Sequence, residues 1–119
     1  MKLIIPELLY TGGEFKKEYA VMIEGTKIKK IGPAAELKKE AGEAEFLELP
    51  HQVLVPGTVN AHNHCFQSLL RGIAADRPFL EWRDRSLYHY SPLMTLEDIY
   101  NGALFAFGEM MKRGVTCVG

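Results

Sequence analysis

The chain has 119 residues, 47% apolar and 24% charged, with 14 basic and 15 acidic side chains and a net charge of −1. That composition suits a soluble fold of one domain's size, and the balanced charge offers no basic surplus for nucleic acid and no acidic tail. The apolar runs are far shorter than the roughly 18–20 residues that span a bilayer, and the start MKLIIPELLY lacks a long apolar stretch and cleavage site, so neither a membrane span nor a signal peptide is predicted.

The N-terminal part reads as β structure. Leu3–Ile5 and Leu8–Thr11 are short strand-type runs that precede Gly12-Gly13. Tyr19–Glu24 (YAVMIE) and Lys27–Ile31 (KIKKI) flank Gly25-Thr26, which predicts a hairpin with a two-residue turn. The lysines of KIKKI suit an edge strand. Pro33–Glu40 (PAAELKKE) is predicted helical, with Pro33 at the first helical position and Gly42 closing it. Glu45–Leu49 (EFLEL) alternates as a strand does. Gln52–Val55 (QVLV) reads as a separate buried strand, ended by Pro56-Gly57.

The remainder reads as helical with a closing strand. A short helix is predicted near Phe66–Arg71, stopped by Gly72, and Phe79–Tyr90 is predicted helical in part. Thr95–Arg113 carries the strongest pattern. Thr95 and Asp98 form a capping-box variant. Apolar residues at Leu96, Ile99, Tyr100, Ala103, Leu104, Phe107, Met110 and Met111 fall on one helical face. Lys112 and Arg113 suit the last turn, and Gly114 the position after it. Val115–Val118 (VTCV) reads as a buried strand. The order strand, small helices, long helix, strand predicts a right-handed βαβ unit. Two parallel strands need cover on both faces, and this chain holds only two.

Two of the four histidines, His62 and His64, lie one residue apart in VNAHNHCFQ. On an extended strand, i and i+2 share a face, so the two imidazoles would project side by side and could hold one Zn²⁺ or similar ion. The other reading is two histidines that fell together near a packed region. Cys65 is a candidate third ligand by softness, but in an extended strand it points to the opposite side; otherwise it is a small buried hydrophobe. His51 and His89 have no partner in the sequence and read as surface histidines. Gln67 and Trp82 are candidate substrate contacts, the first through its carboxamide and the second by stacking on a planar ring; the other readings are a solvated or helix-capping glutamine and an indole packed in a core or interface. Arg71 could grip an anion or pair with Asp76. Cys65 and Cys117 are too few for a disulfide scaffold, which fits a reducing, cytoplasmic setting.

The segment VLVPGTVNAHNHCFQSLLRG resembles the first barrel strand of the amidohydrolase superfamily, whose pattern there is P-G-x-[VIL]-[ND]-x-H-x-H. The continuation through LLRG, FLEW and TLEDIYNGALFAFGEMMKRGVTCV is similar to the deaminase and chlorohydrolase branch. HCFQ is similar to formimidoylglutamate deiminases, and AVMIEGTKIKKIGP to the hairpin of the small β-sandwich these enzymes carry. The resemblance covers nearly the whole chain. It implies an α/β architecture: residues 1–55 as the N-terminal part of a composite β-sandwich, and 56–119 as the start of a (β/α)₈ TIM barrel, incomplete here because such a barrel takes about 250 residues.

The resemblance also implies His62 and His64 as metal ligands for a single Zn or Fe ion. In related deaminases a polar residue near the place of Gln67 contacts substrate, and the reaction would be hydrolysis of a non-peptide C–N bond in a small nitrogen-rich substrate. The further ligands and the proton-transfer residue are expected beyond Gly119, so the 119-residue chain alone is expected to be inactive. Its partners are a small molecule and further copies of itself, with no nucleic acid and no membrane. The alternative is a truncated, non-catalytic chain that persists as an oligomer or a metal-binding relic.

Overall fold

In the computed structural model, which describes residues 1–119, the chain divides into two units, Met1–Pro56 and Gly57–Gly119. Strand β1 (Lys2–Thr11) organises the first. On one edge it pairs in parallel with β5 (Glu45–Leu54). Its other edge is shared by β3 (Tyr19–Glu24), paired across Lys2–Ile4, and β2 (Glu14–Lys17), paired across Leu8–Thr11, both antiparallel. Strand β4 (Lys27–Pro33) pairs with β3 and forms the outer edge, where its lysines stay in water. The two-residue turn at Gly25-Thr26 joins β3 and β4 as the hairpin pattern requires, with Gly25 at φ +58°.

The core of this unit is where two periodicities meet. Ala20 and Met22 lie two apart on β3 and share a face with Leu3 of β1. Against them packs α1 (Ala34–Ala41), which presents Ala34, Leu37 and Ala41, spaced by three and four residues. Leu3, Ala20 and Leu37 are fully buried.

Three local readings of this part need correction. Leu3–Ile5 and Leu8–Thr11 belong to one strand, and the polar EFKK, which has no alternation to announce it, is held as β2 by pairing through the Gly12-Gly13 turn. Pro33 ends β4 and sits just before α1 rather than opening it. EFLEL and QVLV form a single strand, β5. That strand passes Pro50 and His51 because it bulges: His51 adopts φ +61°, and the register with β1 shifts between Pro6 and Leu8. Glu7 fixes the bulge, its carboxylate accepting the His51 N–H at 2.9 Å and lying 3.3 Å from Nδ1 of the same ring.

In the second unit a short strand, β6 (Thr58–Asn60), pairs in parallel with β7 (Val115–Val118). The strand that precedes the histidine pair is therefore β6 and not QVLV. Neither QVLV nor VTCV is buried: Val53 is 51% exposed and Val118 36%. This sheet is only two strands wide, so each of its strands is an edge. Between β6 and β7 come a 3₁₀ turn (Cys65–Leu70), then α2 (Phe79–Trp82), a π-helical turn (Arg83–Leu87), α3 (Tyr88–Tyr90), a second 3₁₀ turn (Ser91–Leu93) and α4 (Leu96–Lys112). No helix is long and apolar enough to cross a membrane.

Helix α4 begins where the capping box placed it. Asp98 N–H donates to Thr95 Oγ1 at 3.1 Å, and Thr95 N–H donates to Asp98 Oδ2 at 2.8 Å. Its buried side differs from the predicted stripe. Leu96 is 87% exposed and Met111 73%, whereas Gly102 and Ala106 are buried. Small residues are selected there because the Cys65–Leu70 turn comes very close. A Cβ on Gly102 would lie 2.7 Å from the Phe66 carbonyl oxygen, a backbone atom with little freedom to retreat. Ser68 Oγ donates to the Gly102 carbonyl at 2.6 Å across the same contact.

Two glycines in one helix should therefore respond with opposite sign. Gly102→Ala is expected to cost about 1–3 kcal/mol through forced displacement of the turn. Gly108→Ala, where a Cβ meets nothing, is expected to gain about 0.5–1 kcal/mol. Urea denaturation of both variants checks this, and equal shifts would refute the close-contact explanation. A pH effect follows from the cap. The Thr95 hydroxyl, then the Thr95 backbone N–H, hold the Asp98 carboxyl below the ordinary aspartate range. A depressed folded pKa stabilises above the unfolded value, and that contribution is lost as pH falls through the lowered one. Thr95→Ala should thus shallow the acid limb of the stability–pH curve as well as lower stability at neutral pH; a parallel downward shift alone would contradict it.

Candidate metal centre and pocket

Strand β6 ends at Asn60, and the histidine pair lies in the loop just past it. This corrects the expectation of two rings aligned by strand periodicity, since neither His62 nor His64 is in a strand. Side-chain amides hold the loop instead. Asn60 Oδ1 accepts the His62 N–H at 3.2 Å, and Asn63 Nδ2 donates to the Gly119 carbonyl at 2.9 Å. Gly119 N–H in turn donates to the Asn60 carbonyl at 3.0 Å, so the loop is tied to the ends of both strands. After His64 the chain turns at once into the 3₁₀ segment, where Gln67 N–H donates to the His64 carbonyl at 3.0 Å.

The two imidazoles converge. His62 Nε2 and His64 Nε2 are 3.1 Å apart, with ring centroids at 5.0 Å and planes at 74°. Two nitrogens that far apart, each about 2.05 Å from a shared ion, subtend about 100° at it, between the octahedral and tetrahedral values. The donor set is right for zinc or iron, and the separation fits one ion. Both histidines are exposed, so no desolvation opposes their use. No third His, Cys, Asp or Glu joins them in this chain. A catalytic zinc site takes three protein ligands, and the pair offers two.

Next to the pair lies an open pocket of about 370 Å³. His64, Gln67, Arg71, Trp82, Ala106 and Met110 are among the residues lining it. The pocket thus brings His64, Gln67 and Trp82 together, although eighteen positions separate His64 from Trp82 in sequence. His62 does not line it. Gln67 Nε2 lies 3.3 Å from His64 Nδ1. Trp82 stacks on Phe79 at 5.9 Å between centroids with planes at 29°. Arg71 does not pair with Asp76: its guanidinium lies 5.4 Å over the Phe105 ring. Cys65 lines the pocket wall, and both it and Cys117 are free thiols. His51 pairs with Glu7 and His89 meets Tyr90 edge-on at 4.8 Å, so each has a local partner outside the site.

Ala106 and Met110 were not singled out as pocket residues from sequence. Met110 falls on the predicted apolar stripe and Ala106 falls off it; their spacing of four along α4 is the signal that could pair them.

Comparison with known proteins gives a consistent picture. The amidohydrolase family model matches residues 53–119. The 5′-deoxyadenosine deaminase of Methanocaldococcus jannaschii is 38% identical over 101 residues, which is 84% of this chain and 23% of that protein. The 5-methylthioadenosine/S-adenosylhomocysteine deaminase of Syntrophomonas wolfei is 39% identical over 99 residues, 81% of this chain and 22% of that protein. An adenosine deaminase from Xanthomonas campestris, solved with bound zinc, superposes with a TM-score of 0.89 at 28% identity, over 99% of this chain and 28% of its own. The chain spans about a quarter of the length of the curated relatives it matches.

The geometry separates Cys65 from the imidazole pair. Cys65→Ser is expected to leave zinc affinity within about twofold of the unaltered chain, since an outer contact that mattered would cost tenfold or more. Competition against a chromophoric chelator measures this, and a drop of about tenfold or more would place Cys65 at the ion or against its ligands.

Proposed function

The chain belongs to the amidohydrolase family, and from that premise we propose that it supplies two metal ligands and one wall of the substrate site to an aminohydrolase. Residues 1–55 form part of its small β-sandwich and 56–119 open its (β/α)₈ barrel. His62 and His64 are the first two ligands of one zinc or iron ion. When bound, that ion supplies an activated water near neutral pH. The two imidazoles would hold it through their Nε2 lone pairs. Gln67 and Trp82 face the substrate, the carboxamide by hydrogen bonding and the indole by offering a planar face. Ala106 and Met110 make the pocket floor apolar.

The reaction is hydrolytic deamination of a C–N bond in an adenosine-like compound. Water adds to the ring carbon that carries the amino group, ammonia leaves, and a carbonyl remains. The substrate class is carried over from the activities for which the relatives are named. The observation that carries the metal reading is the 3.1 Å approach of the two Nε2 atoms. A three-ligand zinc site needs at least one further ligand, and the reaction a proton-transfer group, besides this pair. The free thiols fit a cytoplasmic location.

A second reading is favoured by the exposed apolar side of α4, where Leu96, Tyr100, Leu104 and Met111 are each more than half exposed. On that reading the 119-residue chain is inert and self-associates over this face. The two readings part in experiment. Under the leading one, the chain binds one zinc, His62→Ala or His64→Ala weakens binding at least about tenfold, and the protein carrying this segment in its full reading frame releases ammonia from adenosine analogues. Zinc binding that is indifferent to both substitutions would defeat the metal reading. Absent ammonia release from the full-length protein would defeat the deaminase reading. A chain that is oligomeric by light scattering without zinc affinity would support the second.

A further inference from the structure

Gln67 touches the ring of His64 on the side away from His62. Its Nε2 lies 3.3 Å from His64 Nδ1, while His64 Nε2 lies 3.1 Å from His62 Nε2. The contact is built into the backbone. Gln67 is three residues beyond His64, and the bond from its N–H to the His64 carbonyl closes the turn that brings the two side chains together.

A neutral imidazole carries one proton on one of its two nitrogens. With the Gln67 amide donating, Nδ1 of His64 must be the bare nitrogen and Nε2 the protonated one. That Nε2–H then donates to His62 Nε2. The three side chains form one directed relay, Gln67 to His64 to His62, satisfied by a single choice of tautomers. An ion between the two rings needs both Nε2 lone pairs. His64 must then carry its proton on Nδ1, where it would meet the amide NH₂ donor against donor. A half-turn of the carboxamide removes the conflict by presenting Oε1, which accepts the Nδ1–H. No net proton is gained or lost by His64; the proton leaves one nitrogen and another is taken up at the other by exchange with water. A ligating histidine with its second nitrogen bonded to an acceptor is fixed in orientation and is a better donor to the metal.

We propose that Gln67 is a positioning residue for His64, and that its carboxamide turns over when the ion binds, so that amide orientation, histidine tautomer and metal occupancy change together. This rests on the metal reading of His62 and His64 and adds a role for Gln67 besides substrate contact.

Imidazole ¹⁵N correlation spectra of the 119-residue chain in mildly alkaline buffer report the tautomers directly, and zinc titration reports affinity. The metal-free chain should show His64 protonated on Nε2, and zinc should move that proton to Nδ1. Gln67→Glu, whose carboxylate can only accept, should hold His64 in the Nδ1–H form before any metal is added, and should bind zinc at least as tightly. Gln67→Leu should bind zinc about tenfold more weakly. If Gln67→Glu leaves the metal-free proton on Nε2, or Gln67→Leu binds zinc as tightly as the unaltered chain, the positioning role is overturned. If the unaltered chain binds zinc no better than His62→Ala does, the metal reading falls and takes this proposal with it. Zinc binding through both histidines that is indifferent to Gln67 overturns this proposal alone.

Discussion

Two imidazole nitrogens 3.1 Å apart on an exposed loop are the feature on which the proposed metal site depends. Left to itself, a loop that carries two histidines would not keep their rings converged, because each side chain gains rotamer entropy by parting. Convergence persists here because both ends of the loop are anchored. Asn60 receives the loop from β6, Asn63 ties it to the end of β7, and the 3₁₀ turn takes it over at His64. The parallel pairing of β6 and β7 is thus more than a fragment of sheet. It places two chain ends side by side, and the loop hangs between them.

The support continues into the helix. The 3₁₀ turn that carries Cys65, Gln67 and Ser68 rests on α4 at Gly102, where the backbones approach too closely for any side chain. Gly102 and Ala106 form the seat, and Ala106 and Met110 continue along the same helix into the pocket. The capping box at Thr95 and Asp98 fixes where α4 begins and so sets which of its residues meet the turn. Helix start, helix–turn contact, loop and imidazole pair form one mechanical chain.

Parts of this were open to reading from sequence, for physical reasons that differ by element. The hairpin at Gly25-Thr26 and the start of α4 are decided locally, by turn geometry and by capping, and both emerged where the residues put them. Strands β2 and β5 are decided by pairing with β1, which no local pattern records. EFKK has no alternation, and β5 runs through Pro50 and His51 only because Glu7 across the ladder stabilises the bulge. The buried side of α4 departs from the predicted stripe because hydrophobicity marks what a helix could bury and not what lies against it. In this chain a close-approaching turn claims the small residues and leaves Leu96 and Met111 in water. At the site, the spacing of His62 and His64 is visible in sequence, but they meet on a loop and not through strand alternation. The closeness of Gln67 to His64 follows from a three-residue turn. The presence of Trp82 in the same pocket follows only from the tertiary path of the intervening chain.

The most direct measurement is anomalous diffraction at the zinc absorption edge from crystals of this chain grown with zinc. The expected result is a single peak about 2.0–2.1 Å from Nε2 of both His62 and His64. A map with no peak between the two rings, or with zinc held elsewhere while the imidazoles remain hydrogen-bonded to each other, would contradict it.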